Sequence, residues 1–378
     1  ALPLPAAGAG GKDHTIRSVA TYRHAQALLV KVTAASGESG WGETETGNLR
    51  LMETFLHHGL KANILGQSIW DAERLWDRMF FDHHDLGPGG ALTGAIAGLD
   101  LALWDLRGRI LGQPVHRLIG GKYRDRIKVY GSFGVGFGRR LTPAQAAAKA
   151  RKFAGKGYQV VKVRMQIRES RQNPDPDPTF DFVAAVRQAI GPGIELIVDI
   201  NNGYTAQRAI EVGRRLHSEF GVRYYEDPVS DQTLEDYDAV TRALDQLYTI
   251  AGEKQYTRWQ IRDLILRGNV DYLNPDVIKT GGLTEMKKIA ALAQAFQKPI
   301  ICHNTRPTVS TAAALHFMAS IPNAGPFLEY PDDDDFAPLL ALVRRDFHFE
   351  GGYLTVPETP GLGIQVEETA LAAASVVS

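Results

Sequence analysis

The stretch ELIVDINNGYTAQRAIEVGRRLHSEFGVRYYEDP, residues 195–228, contains one complete strand–helix–strand unit. Its two apolar runs end on Asp199 and Glu226, and Thr205 stands between them where a helix cap is expected. A strand, a helix and two loops together occupy about 25 residues in a parallel β/α array. The stretch therefore predicts two neighbouring parallel strands, each with a carboxylate at its C-terminal end.

The same interval recurs along the second half of the chain. Charged or titratable residues follow short apolar runs at steps of 27, 27, 23, 27 and 26 residues: Asp199, Glu226, Glu253, Asp276, His303 and Glu329. In a closed barrel of alternating strands and helices, the C-terminal strand ends converge on one mouth, where the catalytic groups lie. The period thus brings six distant residues into one candidate site.

Eight strand patterns follow one another from Ile127 onward: IKVYG, QVVKVR, ELIVDI, RYYED, YTIAG, DYLNPD, PIICH and PFLEY. Amphipathic helices lie between them, but no clean helix follows Glu329. We therefore predict an α/β fold, a (β/α)7β-type TIM barrel, over residues 126–335.

The residues before the barrel predict a different architecture. Residues 14–46 alternate apolar and polar side chains as an antiparallel meander, and three helical patterns follow, the last ended by Gly112 and Pro114. Residues 1–125 therefore predict an N-terminal α+β capping domain. Residues 336–378 are typical of a hairpin and loops, and we expect them to pack back toward the capping domain and complete it.

Composition excludes several classes of protein. The formal net charge of −1 gives no basic surface for nucleic acid or for an anionic membrane. No apolar run reaches the roughly 18 residues of a membrane span. Cys302 is the only cysteine, which excludes an internal disulfide and fits a cytoplasmic protein.

Asp199, Glu226 and Glu253 end three consecutive predicted strands. These carboxylates would repel one another in one mouth unless a cation lay among them. Hard oxygen donors, no nearby cysteine or histidine, and only three protein donors indicate Mg²⁺ with open positions for water and substrate. The alternative is that each carboxylate caps a helix or pairs with a lysine.

The remaining strand ends predict the proton-transfer groups. His303 follows the seventh strand and Asp276 the sixth, so Asp276 is placed to hold one imidazole nitrogen and raise the basicity of the other. Lys162 and Arg164 alternate along the second strand, and both side chains are expected to point into the mouth. The alternatives are a structural histidine and salt bridges to the neighbouring carboxylates.

Longer motifs resemble the mandelate racemase subgroup of the enolase superfamily over nearly the whole chain. They are GWGE at residues 40–43, LDLALWDLRGRILGQPVHRLIGG at 99–121, DIN at 199–201, YEDP at 225–228, GEK at 252–254, NPDVIKTGG at 274–282, ICHN at 301–304 and LEY at 328–330. Members of that superfamily use a lysine or histidine base together with Mg²⁺.

The resemblance implies specific roles. It makes Asp199, Glu226 and Glu253 the Mg²⁺ ligands, with Mn²⁺ as a substitute, and His303 with Asp276 the base dyad. It makes Glu329 the acid that donates to a substrate carboxylate oxygen and places Asn201 beside metal and substrate. Substrate selection is implied for the loops at residues 22–26, 44–50 and 83–90, and we expect a homo-oligomer, between a dimer and an octamer.

One position departs from the family pattern. The second strand usually carries Lys-x-Lys, whose second lysine is a base on the face opposite the histidine, whereas this chain has Lys162-Val163-Arg164. A guanidinium is a poor proton acceptor. Because dehydration needs only one base, the resemblance implies dehydration of a polyhydroxy (sugar) acid to a 2-keto-3-deoxy acid, through α-proton abstraction and a metal-stabilised enediolate. Lys162, Arg164 and Glu329 would contact the substrate.

Other functions remain open on sequence alone. A racemase, an epimerase or a lactone cycloisomerase would use the same enediolate, and assay of 2-keto acid product separates them from a dehydratase. A metal-dependent hydrolase barrel usually shows His-x-His at the end of the first strand, where this chain has Tyr130-Gly131-Ser132. A non-catalytic binding protein would bind ligand without Mg²⁺-dependent turnover.

Overall fold

The computed structural model describes residues 14–24, 27–44, 47–135, 141–165, 172–332 and 334–375. The strands are β1 Ile16–His24, β2 Ala27–Ala34, β3 Ser39–Glu43, β4 Arg126–Val135, β5 Val160–Met165, β6 Glu195–Asp199, β7 Tyr224–Glu226, β8 Tyr248–Ala251, β9 Tyr272–Leu273, β10 Leu328–Tyr330, β11 Val343–Arg345, β12 Phe349–Glu350, β13 Tyr353–Thr355 and β14 Ile364–Val366.

The first five helices follow the three N-terminal strands, and most of the others alternate with the strands of the second half. They are α1 Leu49–Phe55, α2 Lys61–Ile64, α3 Ala72–Phe81, α4 Ala91–Leu111, α5 Val115–Leu118, α6 Pro143–Lys156, α7 Thr179–Ile190, α8 Ala206–Phe220, α9 Leu234–Ala243, α10 Arg258–Asp263, α11 Leu283–Ala295, α12 Val309–Ser320, α13 Ala337–Leu340 and α14 Glu368–Ser375. No helix among the described residues is long and apolar enough to cross a membrane.

The first three strands form the predicted antiparallel meander, in the order β1–β2–β3. Helix α4 packs against it so closely that a Cβ at Gly42 would lie 1.9 Å from the carbonyl oxygen of Gly98. Only glycine permits this contact, because any side chain would overlap the helix backbone. Gly112 ends α4 in the left-handed conformation, as the sequence predicts.

A ring of parallel strands follows. Strands β4 to β9 pair in chain order, and β10 pairs with β4, so the sheet returns to its first strand. The seventh predicted strand, PIICH, is not a regular strand. Isolated parallel bridges join it to the sixth strand, Leu273 with Ile300 and Asp276 with His303, and another joins it to the segment before the eighth, Ile300 with Ala324. The barrel prediction is confirmed, and the seventh position is reduced to these bridges.

Alternation along the strands separates two cores. Val161, Val163 and Met165 of β5 pack in the large cluster shared with the surrounding helices. The intervening positions therefore point into the barrel. A second cluster fills that interior: Tyr130, Val160, Ile197, Tyr224, Ile250, Ile301 and Phe327. The polar residues at the C-terminal strand ends lie beyond this apolar cluster.

The C-terminal segment contacts both halves of the molecule. β12 and β13 form the predicted hairpin, and β13 continues the sheet by pairing antiparallel with β4. At the other end of the segment, Oε1 of Glu368 accepts a 2.5 Å hydrogen bond from the Tyr22 hydroxyl, and Oε2 pairs with Lys31. The segment thus ties the meander to the barrel.

Candidate active site

The register of the parallel strands places the predicted site residues side by side. Arg164 stands opposite Asp199, Asp199 stands opposite Glu226, and Asp276 bridges to His303. Arg164 is half-buried, and the other predicted residues are buried: Lys162, Asp199, Asn201, Glu226, Glu253, Asp276, His303 and Glu329. Residues up to 167 positions apart in the chain therefore share one polar cluster.

Tight backbone turns follow two of the strands. Asn201, Asn202 and Asp227 adopt positive φ values of 51°, 66° and 41°, which side-chain-bearing residues seldom adopt. The Asn201 N–H donates to Oδ1 of Asp199 at 2.8 Å and stabilises the first turn. Such conformations persist where the surrounding structure holds them, and they cluster at functional sites.

Lys162 lies at the centre of the carboxylates. Its Nζ is 2.8 Å from Oε1 of Glu226, 3.3 Å from Glu329 and 3.6 Å from Oδ2 of Asp199. Burial alone would lower the pKa of Lys162, but Glu226 and Glu329 together raise it well above its usual value. Lys162 is therefore protonated in this arrangement and acts as a hydrogen-bond donor to these carboxylates.

Glu226 is incompletely satisfied. Its Oε1 accepts from Lys162 and from Nδ2 of Asn274 at 3.1 Å, whereas Oε2 is buried without a hydrogen-bond partner. Burial raises the pKa of Glu226 well above its usual value, and Asp199 adds to the effect. Burial also raises the pKa of Asp199 to about 6. Burial thus opposes the charge on both of these carboxylates.

His303 is fixed by the carboxylate on the neighbouring strand. Its Nδ1 lies 2.6 Å from Oδ2 of Asp276, whose Oδ1 accepts the N–H of Ile278 at 2.9 Å. With both oxygens of Asp276 acting as acceptors, Nδ1 of His303 carries the proton and Nε2 is left to face the mouth. The predicted dyad geometry is present.

Nε2 of His303 contacts two further carboxylates. It lies 2.7 Å from Oε2 of Glu253 and 3.8 Å from Oε2 of Glu329. Burial would lower the pKa of His303, but Glu253 above all raises it to about 10. Glu329 also borders Lys162, so this carboxylate stands between the two sides of the site.

Three further residues of the cluster were not predicted as site residues from the sequence. Lys254 bridges Oε1 of Glu253 at 3.0 Å and Oδ2 of Asp227 at 2.9 Å, and it also contacts Asn202. Asn274 donates to Glu226, and the N–H of Asn304 donates to Oε2 of Glu329 at 3.4 Å. Each lies within two residues of a predicted strand end, which is the signal that could have found it.

The donor set fits a hard divalent cation. Asp199, Glu226 and Glu253 supply buried oxygens, and the unpartnered Oε2 of Glu226 has no protein donor to satisfy it. In the described part of the chain, however, no three histidine, cysteine, aspartate or glutamate side chains surround a common point closely enough for an ion. The carboxylates turn instead toward cationic side chains, chiefly Lys162, Lys254 and His303. Ion binding requires that they exchange these partners.

One of the loops implied in substrate selection reaches the barrel. In the loop at residues 83–90, Gly89 lies against the ring of Tyr256, so closely that a Cβ would be 2.4 Å from Cδ2. Tyr256 follows Glu253 by three residues, which places this loop beside the mouth. In the other two loops, residues 25, 26, 45 and 46 lie outside the described residues.

Comparison with known proteins agrees with this architecture. Residues 12–120 match the family described as mandelate racemase/muconate lactonizing enzyme, N-terminal domain, and residues 145–370 match the enolase C-terminal domain-like family. The chain is 31% identical to a D-galactonate dehydratase of Ralstonia pickettii, over 93% of this chain and 92% of that one. It is 30% identical to a D-galactarolactone cycloisomerase of Agrobacterium fabrum, over 91% and 90%.

A solved structure shows the same fold. The 3,6-anhydro-D-galactonate cycloisomerase of Zobellia galactanivorans superposes with a TM-score of 0.85 at 27% identity, covering 95% of this chain and 99% of that one. Both domains of the family are thus matched in sequence and in three dimensions. The chain belongs to the mandelate racemase/muconate lactonizing enzyme family of the enolase superfamily.

Proposed function

We propose that the protein dehydrates a polyhydroxy (sugar) acid to a 2-keto-3-deoxy acid. The observation that carries the proposal is that His303, once released from its ion pair with Glu253, is a proton acceptor, whereas the second strand carries the cations Lys162 and Arg164. His303, oriented by Asp276, is the acceptor. Lys162 is held protonated by its carboxylate neighbours, and Arg164 is a guanidinium.

Proton abstraction falls to Nε2 of His303. With Nδ1 hydrogen-bonded to Asp276, a neutral imidazole presents its lone pair at Nε2, and the imidazolium formed by taking the α-proton is stabilised by the same carboxylate. Loss of the β-hydroxyl then needs a proton donor. The imidazolium of His303 returns the proton it took, so that water leaves and an enol remains, which tautomerises to the 2-keto acid.

Lys162 and Glu329 are the proposed contacts of the substrate carboxylate. Burial would raise the pKa of Glu329, but Lys162 and His303 lower it, so Glu329 can donate to the substrate only after it has taken up a proton. Lys162 is a buried donor, and Glu329 lies between it and His303 at distances of 3.3 Å and 3.8 Å. A protonated lysine there favours the negative charge that develops on the substrate carboxylate as the α-proton leaves. Asn201 adds an amide at the adjacent strand end, and Arg164 a fork of donors for a carboxylate or hydroxyl.

Asp199, Glu226 and Glu253 would hold Mg²⁺, with Mn²⁺ as a substitute. When bound, the ion would supply Lewis-acid stabilisation of an anionic oxygen. The buried, partly unsatisfied carboxylates support this assignment. The substrate is expected to be a soluble small acid; its hydroxyl configuration is read by loops beside the mouth.

A lactone cycloisomerase is the second candidate. It too needs one base, and a relative over 91% of this chain carries the name D-galactarolactone cycloisomerase. A racemase or epimerase is less compatible with the site, because it needs a second proton acceptor on the other face of the substrate, and the second strand carries Arg164 in place of the second lysine of Lys-x-Lys.

Incubation of the Mg²⁺-loaded protein with a library of sugar acids and their lactones tests the proposal. We expect semicarbazide-reactive 2-keto acid from at least one open-chain acid, and its loss in His303→Asn together with loss of α-proton exchange in deuterated water. Conversion of a lactone without 2-keto acid would establish the cycloisomerase instead. Exchange that persists in His303→Asn would show a second base and contradict the single-base site.

A further inference from the structure

A buried carboxylate of the meander reaches across to the barrel. Glu43 ends β3, and its Oε2 accepts hydrogen bonds from the Thr308 hydroxyl and the Ser310 N–H, each at 3.0 Å. These partners lie more than 260 residues away in the chain, where the loop after His303 enters α12. Glu43 is completely buried.

Helix α12 depends on this contact because it cannot be capped by water. All of its residues are buried, and the N-cap residue Thr308 makes no side-chain bond to the helix. The Thr308 hydroxyl, the usual local cap, donates to Glu43 instead. A buried helix start without acceptors is costly, so the carboxylate from the meander replaces the local cap.

Further hydrogen bonds connect the start of α12 to the strand ends that carry His303 and Glu329. The Ser310 hydroxyl donates to Oδ1 of Asn304 at 2.8 Å. Asn304 follows His303 directly; its Nδ2 donates to the Glu329 carbonyl at 3.1 Å, and its N–H lies 3.4 Å from Oε2 of Glu329. A continuous hydrogen-bonded chain thus runs from Glu43 through Ser310 and Asn304.

We propose that Glu43 is a positioning residue for the reaction: through Ser310 and Asn304 it fixes the backbone that presents His303 and Glu329 to the substrate. The meander then contributes to the catalytic geometry as well as covering the mouth. Displacement of a base by about 1 Å can cost on the order of a hundredfold in rate. The proposal rests on the function proposed above.

Three variants test the chain of contacts. Ser310→Ala removes the hydroxyl bound to Asn304 and leaves the N–H on Glu43. Glu43→Ala removes Oε2, which accepts both hydrogen bonds, and Glu43→Gln keeps an oxygen acceptor. We expect kcat to fall about tenfold or more in the two alanine variants, with KM changed by less than about threefold. Glu43→Gln should recover most of kcat, and the double alanine variant should be no slower than the slower single.

Asp105→Ala is the matched control. Asp105 is an equally buried carboxylate of the same domain. It accepts the N–H groups of Trp41 and Leu362 at 2.9 and 2.8 Å and pairs with Arg109 at 2.7 Å, and these partners do not belong to the hydrogen-bonded chain from Glu43 to Asn304. It should lower Tm without lowering kcat. If Glu43 had a structural role only, Glu43→Ala and Ser310→Ala would lower Tm and leave kcat unchanged.

A second readout does not depend on turnover. The imidazole Cε1–H resonance of His303, assigned with His303→Asn in protein labelled at histidine, should move in Ser310→Ala and Glu43→Ala and stay in Asp105→Ala. If the wild type turns over no sugar acid, the proposed function fails while this comparison still decides the positioning role. Unchanged kcat and an unmoved resonance in Ser310→Ala would overturn the proposal, even if Glu43→Ala does not fold.

Discussion

Nε2 of His303 lies 2.7 Å from Oε2 of Glu253, so the proposed base and a proposed metal ligand share one ion pair. Burial opposes the charge on each partner, yet the pairing raises the pKa of His303 to about 10 and lowers the pKa of Glu253 well below its usual value. His303 is therefore protonated in this arrangement. Its lone pair becomes available when Glu253 is engaged elsewhere.

Binding of Mg²⁺ should consequently release a proton. At about pH 8 the imidazolium paired with Glu253 is charged, because its pKa of about 10 lies above that pH. Once Glu253 turns to the ion, the pKa of His303 falls toward its ordinary value of about 6.5. Calorimetric titration with Mg²⁺ in buffers of different ionisation enthalpy should report a proton released from His303, in addition to any released from Glu226, whose pKa burial raises, and Mg²⁺ affinity should rise between about pH 6.5 and 10.

His303→Asn is the control for this linkage and should release no proton from that site. The raised pKa also has a consequence for the metal-free protein: the pairing contributes stability that is complete below about pH 6.5 and is lost as the pH rises through about 10. Tm of the metal-free wild type should thus fall more steeply over that window than Tm of His303→Asn. Buffer-independent heats in the wild type would contradict the ion-pair exchange.

Glu226→Gln should abolish the stabilisation by Mg²⁺ while the fold persists. An ion at about a hundred times its Kd stabilises the folded state by about 2.7 kcal/mol, a shift of several degrees in Tm for a domain of moderate size. Removing the unpartnered Oε2 of Glu226 removes one of the three proposed ligands. The measurement is Tm with and without Mg²⁺ after exhaustive chelation.

Glu329→Gln is the matched variant, because Glu329 also contacts Lys162 but is not a proposed ligand. It should keep the Mg²⁺-dependent rise in Tm and lose turnover. Full activity of the chelated wild type, with elemental analysis showing no metal, would refute the metal assignment.

Asp276→Asn should slow proton abstraction and move its pH dependence. The carboxylate 2.6 Å from Nδ1 stabilises the imidazolium, so an amide there lowers the pKa of His303. Activity requires the neutral base and rises with pH through that pKa, so the acidic limb of kcat/KM should shift to lower pH. The plateau should fall by about a hundredfold or more, because an amide does not secure the tautomer. If the acidic limb does not shift in Asp276→Asn, the limb does not report the ionisation of His303.

The sequence was sufficient for the barrel and for the strand-end residues because both depend on period. Parallel strands repeat with the helices between them, and alternation along β5 separates Val161 and Val163 from Lys162 and Arg164. The seventh strand was overestimated, since the apolar run PIICH is also compatible with the isolated bridges that the structure shows. An apolar pattern alone does not predict how many backbone hydrogen bonds a segment makes with its neighbouring strands.

The contacts around the site could not be predicted in the same way. Glu43 was visible only as part of a family motif, because its partners Thr308 and Ser310 belong to a distant helix that lacks a working local cap. The sequence left two interpretations of Lys162 open, a substrate contact and a salt-bridge partner. The structure pairs Lys162 with three carboxylates, and the same lysine is also a proposed donor to the substrate. Local sequence gives the position of such a residue, and the register of the sheet gives its partners.

Arg164→Lys should restore a second base and alter the reaction. Arg164 stands opposite Asp199 across the strand pair, on the face of β5 that points into the barrel. A guanidinium binds a carboxylate or hydroxyl with two donors but does not accept the α-proton, so the wild type should act on one configuration at C2. A lysine two residues from the protonated Lys162 would have its own pKa lowered by the like charge.

The variant is therefore expected to lose about tenfold or more of its dehydratase activity through lost orientation, and to gain slow α-proton exchange with the C2 epimer. NMR in deuterated water with each epimer measures both effects, and Arg164→Gln, which removes the charge without supplying a base, is the control. Because Gln cannot accept the proton, it should show the loss without the gain. Comparable exchange of both epimers by the wild type would mean that Arg164 does not exclude second-face chemistry, and the preference for dehydration over epimerisation would lose its main support.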